Sequence, residues 1–115
     1  MVTSSVLGLV AAGMAGPYVT SKHAVIGLAK TAAVELARDK IRVNTVNPAP
    51  VESRMMREIE HGFTPADENK AKKAILATIP LRRYVHTDEV AKMMLFLASD
   101  DSSFCTGSCY LVDGG

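Results

Sequence analysis

Tryptophan is absent from this 115-residue chain, cysteine occurs only twice, and aromatic residues make up just 5%. Cys105 and Cys109 are too few for a disulfide framework or a zinc site with two ligand pairs. They read as two half-buried thiols in a reducing compartment. An excess of either charge is lacking too: thirteen basic residues face twelve acidic ones, for a formal net charge of +1. That removes the electrostatic footprint of a nucleic-acid binder and any acidic or basic tail. The longest apolar run, Met93 to Ala98, falls far short of the roughly 18 residues of a membrane span. Val6 to Gly16 is apolar and small, but no Lys or Arg occurs before Lys22, so the basic start of a secretory signal is missing. The expectation is a cytoplasmic protein with no nucleic-acid and no membrane partner. What is present, 48% hydrophobic and 22% charged residues, suits one soluble domain.

Along the chain, Val2 to Ser5 reads as the end of a short strand entering a loop. Gly8, Gly13, Gly16 and Pro17 punctuate that loop, and Pro17 suits the first turn of a helix. Val25, Leu28, Ala29, Ala32 and Leu36 recur at three- and four-residue spacing, which predicts a helix from about Tyr18 to Arg38. Ala24, Gly27, Ala29, Ala32 and Ala33 would let it pack close to a neighbour. Ile41 to Asn47 alternates apolar and polar residues as a strand does, until Pro48 and Pro50. Strand, long helix and strand in that order indicate a parallel sheet with a crossover. Residues 54–78 predict two short helices about a turn at Gly62–Pro65. The pair either covers a ligand crevice, with adaptable methionines in its lining, or is an amphipathic surface pair. Thr87 reads as the N-cap of a helix to about Ala98, with Asp88 and Glu89 in its first turn. Asp100 to Ser103 reads as a loop and Ser108 to Val112 as the last strand.

Tyr18 and Lys22 lie four residues apart and so share a helix face. A phenol alone is a poor acid or base near neutrality, whereas a nearby ammonium favours its ionised form. The pair is suited to exchanging a proton with a carbonyl or alcohol oxygen; the plainer reading is a solvated face. Ser5 stands thirteen residues before Tyr18, at the carboxyl end of a predicted strand, where open α/β sheets bind ligands. A hydroxyl there could hydrogen-bond a substrate oxygen as charge develops on it.

Together these residues resemble the signature of the short-chain dehydrogenase/reductase family, a Ser about thirteen residues ahead of Tyr-x-x-x-Lys. Further segments match in order: His23 to Leu28, Ile41-Arg42-Val43-Asn44-Thr45-Val46-Asn47-Pro48, Pro80-Leu81 through Thr87-Asp88-Glu89-Val90-Ala91, Phe96 to Asp100, Thr106-Gly107, and Val112-Asp113-Gly114-Gly115. The likeness runs over essentially the whole chain. It implies an α/β fold, the C-terminal half of a doubly wound Rossmann-type parallel sheet. It implies an oxidoreductase that uses NAD or NADP on a small alcohol or carbonyl substrate. Tyr18 would be the general acid/base, Lys22 would assist it and hold the nicotinamide ribose, and Ser5 would orient the substrate oxygen. Pro48, Ala49, Val51 and Ser53 would line the nicotinamide, with the Val51 backbone on its carboxamide and Ser53 where the family commonly has Thr. A homodimer or homotetramer built through the long helix and the last strand is also implied.

The chain departs from the family in length, being about half of it, so residues 1–115 read as a partial, catalytic-side domain. No Gly-x-Gly-x-x-Gly turn occurs to seat a pyrophosphate. The expectation is a partial copy or truncated gene model of a longer enzyme, inactive alone. The alternative is a non-catalytic fragment that associates with a partner or homologue through an open sheet edge. Ala49 replaces a usual glycine, and so do larger residues around Arg82 and Val85, so the latter turn must differ. Substrate choice is expected to lie in Met55 to Thr78.

Overall fold

A computed structural model describes residues 1–63 and 67–115. Three parallel strands, β1 (Val2–Thr3), β2 (Thr45–Pro48) and β3 (Cys109–Val112), form one sheet in the order β1-β2-β3. Val2 is in register with Thr45, and Thr45 in turn with Cys109. Each neighbouring pair is joined through helices, as parallel strands require. The α/β class and the parallel sheet expected above are both present.

Helix α1 (Gly16–Glu35) carries Pro17 in its first turn and is followed by a 3-10 turn, Ala37–Asp39, that ends at Lys40 in the left-handed region. Ile26, Ala29 and Ala33 face inward, whereas Leu28 is 72% exposed and Val34 79% exposed. The apolar stripe read from the sequence is therefore split between two faces, because alanine-rich spacing does not say which side the core is on. A Cβ at Gly27 would meet nothing within 4 Å beyond its own helix, and the buried small residues of α1 are Ala29 and Ala33 instead.

The second strand is shorter than its alternating pattern. Residues 41–44 hold to the 105–108 loop largely through side chains: Val43 N donates to Thr106 Oγ1, Asn44 Nδ2 to Cys105 O, and Ser108 N to Asn44 Oδ1. The regular ladder starts at Thr45. Val46, wholly buried, packs with Val85 and with Val90 and Leu97 of α4 (Thr87–Ala98). Burying one such side chain contributes about 2 kcal/mol. Thr45 and Asn47, at alternate positions, point to the opposite face.

Helices α2 (Arg54–Phe63) and α3 (Glu68–Ala77) follow β2 and share a second apolar cluster of Met56, Ile79 and Tyr84, flanked by Ile75 and Leu76. The turn expected at Gly62–Pro65 lies partly outside the described residues. The N-cap of α4 is His86, not Thr87. The Glu89 carboxylate accepts the His86 backbone N–H at 2.8 Å, which draws the helix start one residue earlier. Asp100–Ser102 forms a 3-10 turn rather than an open loop. Arg42 explains its order: the guanidinium donates to the carbonyls of Leu97, Ser99 and Cys105 and to Ser102 Oγ, placing a cation at the C-terminus of α4.

Candidate active site

The carboxyl end of β1 leads straight into a 3-10 turn, Val6–Gly8, whose N-cap is Ser5. Ser5 is extended and buried, and its Oγ accepts the Leu7 N–H at 3.1 Å, which leaves the hydroxyl proton to donate elsewhere. The Ser5 carbonyl accepts the Gly8 N–H at 2.9 Å. One residue earlier, buried Ser4 donates from Oγ to the Lys22 carbonyl at 3.0 Å. The loop carrying Ser5 is thereby tied to the helix turn carrying Lys22.

Gly8 makes that approach sterically possible. A Cβ at this position would lie 2.6 Å from Ser4 Oγ, 2.7 Å from Ile26 Cδ1 and 2.9 Å from the Lys22 carbonyl oxygen. Any side chain would push the loop off α1.

Tyr18 and Lys22 sit one turn apart near the start of α1. Lys22 Nζ lies 5.4 Å from the centre of the Tyr18 ring, a cation–π contact. Tyr18 is 39% exposed and its hydroxyl has no protein partner among the described residues; Lys22 is half-buried and forms no ion pair there. Phenol and ammonium thus stand side by side with their hydrogen-bonding capacity open, next to a serine loop anchored at Lys22.

The end of β2 and the segment after it hold the other residues named from the sequence. Pro48 and Ala49 are buried, and Ala49 is not among the positive-φ residues, so the missing glycine there costs no backbone strain. Val51 forms an isolated parallel bridge with Val85, in which Val85 N donates to Pro50 O and Glu52 N to Val85 O. A parallel bridge of this kind leaves the N–H and C=O of Val51 itself directed away, and neither has a partner among the described residues. Ser53 Oγ accepts the Met56 N–H at 3.4 Å at the start of α2.

Three further features belong to the surroundings of this site. Asn47, wholly buried, donates from Nδ2 to the Ser5 carbonyl at 3.0 Å and accepts from Thr45 Oγ1 at 2.8 Å. Buried Tyr84 donates to Glu60 Oε1 at 2.5 Å, joining α2 to the turn before α4. Burial raises the Tyr84 phenol well above its usual value, and its hydrogen bond to Glu60 and the charges of Glu60 and Glu52 raise it further. Arg82 adopts a positive φ of 54° at a turn where the family resemblance expects glycine nearby. No local spacing announces the first two, whereas the Arg82 turn is the one expected above to differ.

Comparison with known proteins bears on the family and the fold. A family model described as enoyl-(acyl carrier protein) reductase matches residues 1–115. The chain is 41% identical over 112 residues to a short-chain dehydrogenase, fogB, of Aspergillus ruber, covering 97% of this chain and 39% of that protein. It is 42% identical over 112 residues to the 3-oxoacyl-acyl-carrier-protein reductase FabG of Thermotoga maritima, covering 97% and 42%. Among solved structures, levodione reductase superimposes with a TM-score of 0.95 at 33% identity, over 99% of this chain and 45% of that one. The aldohexose dehydrogenase of Thermoplasma acidophilum superimposes with a TM-score of 0.91 at 38% identity, over 99% and 46%. The chain spans about two fifths of the length of the curated relatives it matches. A partial Rossmann-type parallel sheet, a whole-chain family match and relatives of this kind lead to one conclusion: the chain belongs to the short-chain dehydrogenase/reductase family.

Proposed function

We propose that this chain is the catalytic half of an NAD(P)-dependent oxidoreductase that interconverts a small alcohol and its carbonyl compound. The observation that carries the reading is the side-by-side Tyr18 phenol and Lys22 ammonium, with the Ser5 loop pinned to the Lys22 carbonyl. In reduction, Tyr18 Oη gives its proton to the carbonyl oxygen; in oxidation it takes the alcohol proton. Ser5 donates from its free hydroxyl proton to the same oxygen and holds it in line. Lys22 stabilises negative charge on the phenol and donates to the ribose hydroxyls of the nicotinamide nucleotide.

The residues after β2 fit that cofactor. A carboxamide has one acceptor and two donor hydrogens, and the unpartnered N–H and C=O of Val51 offer the complementary pair. Pro48 and Ala49 form the wall beside the ring, and the Ser53 hydroxyl proton is available to it. When bound, the nicotinamide supplies or accepts the hydride, while the protein orients the reactants and moves the proton. This chain has no glycine-rich turn for the pyrophosphate, so tight binding and turnover need a further phosphate-binding segment. Selection between NAD and NADP rests with that segment.

The substrate class is a secondary alcohol or ketone, a sugar, a steroid or a 3-oxoacyl thioester, chosen by Met55 to Thr78. Exposed Leu28 and Val34 on α1 support assembly into a dimer or tetramer through that helix. Among the described residues no helix is long and apolar enough to cross a membrane, and we place the protein in the cytoplasm. A second reading, docking of a partner strand, is favoured by Val2, 39% exposed on the edge strand β1.

The test compares two proteins. One is the 115-residue chain alone. The other is the full chain joined behind the N-terminal part of the Thermotoga maritima reductase, called the joined enzyme below. The chain alone should show neither saturable NADH or NADPH binding nor turnover, and the joined enzyme should reduce a carbonyl substrate. A folded joined enzyme with no activity on any of the named classes contradicts the enzymatic reading and leaves the docking one.

A further inference from the structure

Ser5 sits where the ladder between β1 and β2 stops. Ser4 N still pairs with Val46 O at 2.9 Å, but after it the chain turns away from β2. From that point strand pairing no longer fixes the backbone. What replaces it is the Asn47 side chain, which reaches from β2 and donates to the Ser5 carbonyl at 3.0 Å. Asparagine is poorly suited to the interior of a strand, and a buried amide without partners is costly. Asn47 is wholly buried and has found both: Ser5 O for its donor and Thr45 Oγ1, at 2.8 Å, for its acceptor. The Ser5 carbonyl, which can only accept, settles that the amide nitrogen faces it, and the Thr45 hydroxyl then donates to the amide oxygen left on the other side.

We infer that Asn47, held at its amide oxygen by Thr45, is a positioning residue that sets the Ser5 hydroxyl for the substrate oxygen, an inference that rests on the functional reading above. The mechanism is local. The Ser5 carbonyl is held from two sides, by Asn47 Nδ2 and by the Gly8 N–H, while Leu7 N–H holds Oγ. Removing Asn47 takes away the restraint that β2 places on the Ser5 carbonyl, leaving Ser5 to the bonds of its own turn and to the tie from neighbouring Ser4 to α1. A displacement of about 1 Å at a reacting group can cost on the order of a hundredfold in rate. Asn47 is wholly buried and offers no surface to a ligand, so its effect should fall on kcat.

The test is a double-mutant cycle in the joined enzyme. Asn47→Leu, close in size and without a donor, should lower kcat by about tenfold or more and change KM less than about twofold. In a Ser5→Ala background the same change should have no further effect on kcat, because the group being positioned is gone. An equal loss in both backgrounds, or no loss in the parent, overturns the inference and leaves the functional reading intact. A Ser5→Ala enzyme with unchanged kcat overturns both. Should Asn47→Leu fail to fold, Thr45→Val carries the cycle: it leaves the amide oxygen without its donor, loosens the amide that holds the Ser5 carbonyl, and should lower kcat severalfold in the parent alone. In the 115-residue chain, Asn47→Leu should speed amide exchange at Gly8 at least about tenfold relative to α4, as loss of a local restraint requires; unchanged Gly8 exchange contradicts the restraint.

Discussion

Replacing Tyr84 by Phe isolates one buried bond on which the α2–α3 pair depends. Tyr84 is 4% exposed and Glu60 5% exposed, so neither oxygen has water to fall back on. The ring stays and keeps its packing on Met56 and Ile79; only the hydroxyl goes. A hydrogen bond to a charged group contributes about 1.5–3 kcal/mol, and here its loss leaves the Glu60 carboxylate buried without its donor. Lys72 Nζ, 5.1 Å from the Tyr84 ring centre, is close enough to recover a little of this. A net cost of about 2 kcal/mol should lower the urea midpoint by roughly 1 M. Glu60→Gln made on top of Tyr84→Phe should cost much less than it does alone. The alkaline limb gives an independent check. Burial and Glu60 raise the folded-state value of Tyr84. The stabilisation is therefore complete below the unfolded value of about 10 and is lost as pH climbs above it. Tyr84→Phe should flatten that loss. A variant within about 0.5 kcal/mol of the parent, or an unchanged alkaline limb, refutes the buried bond.

Gly8→Ala should cost about 1–3 kcal/mol through overpacking against Ser4, Ile26 and the Lys22 carbonyl, measured by urea unfolding, and should slow the joined enzyme as the Ser5 loop lifts off α1. Arg82→Gly should instead stabilise by about 0.5 kcal/mol, since relief of its left-handed backbone outweighs the exposed bond from Arg82 to the Ala77 carbonyl; thermal melting reads the sign. Arg83 and the His86 N–H hold the Glu89 carboxyl down to about 2. Its contribution is present above the usual value of about 4.3 and is lost as pH falls from there towards 2, so acid titration of Glu89→Gln should show a shallower loss in that window.

The elements that the sequence made legible are those whose information is local. Helix α4 is marked by Asp88 and Glu89 at one end and by regular apolar spacing after them. The Ser5, Tyr18 and Lys22 set is marked by spacing within eighteen residues. What escaped has partners far along the chain. Asn47 reads as a weak strand residue until Ser5, 42 positions away, is brought beside it. Tyr84 and Glu60 are 24 positions apart, and Arg42 caps a helix whose end lies 55 positions on. The second strand was read too long because Ile41 to Asn44 alternate correctly but meet a loop held by side chains rather than a neighbouring ladder. The inward face of α1 was misjudged at Leu28 because small residues give little contrast between its two sides.

The proton-transfer role proposed for Tyr18 is tested most directly by kcat of the joined enzyme before and after Tyr18→Phe, with NAD(P)H affinity measured in parallel. The predicted result is loss of turnover, by about a hundredfold or more as removal of a general acid entails, with cofactor affinity nearly unchanged. Turnover retained within a few fold, with the cofactor still bound, would contradict the role given to Tyr18 and with it the catalytic reading of this site.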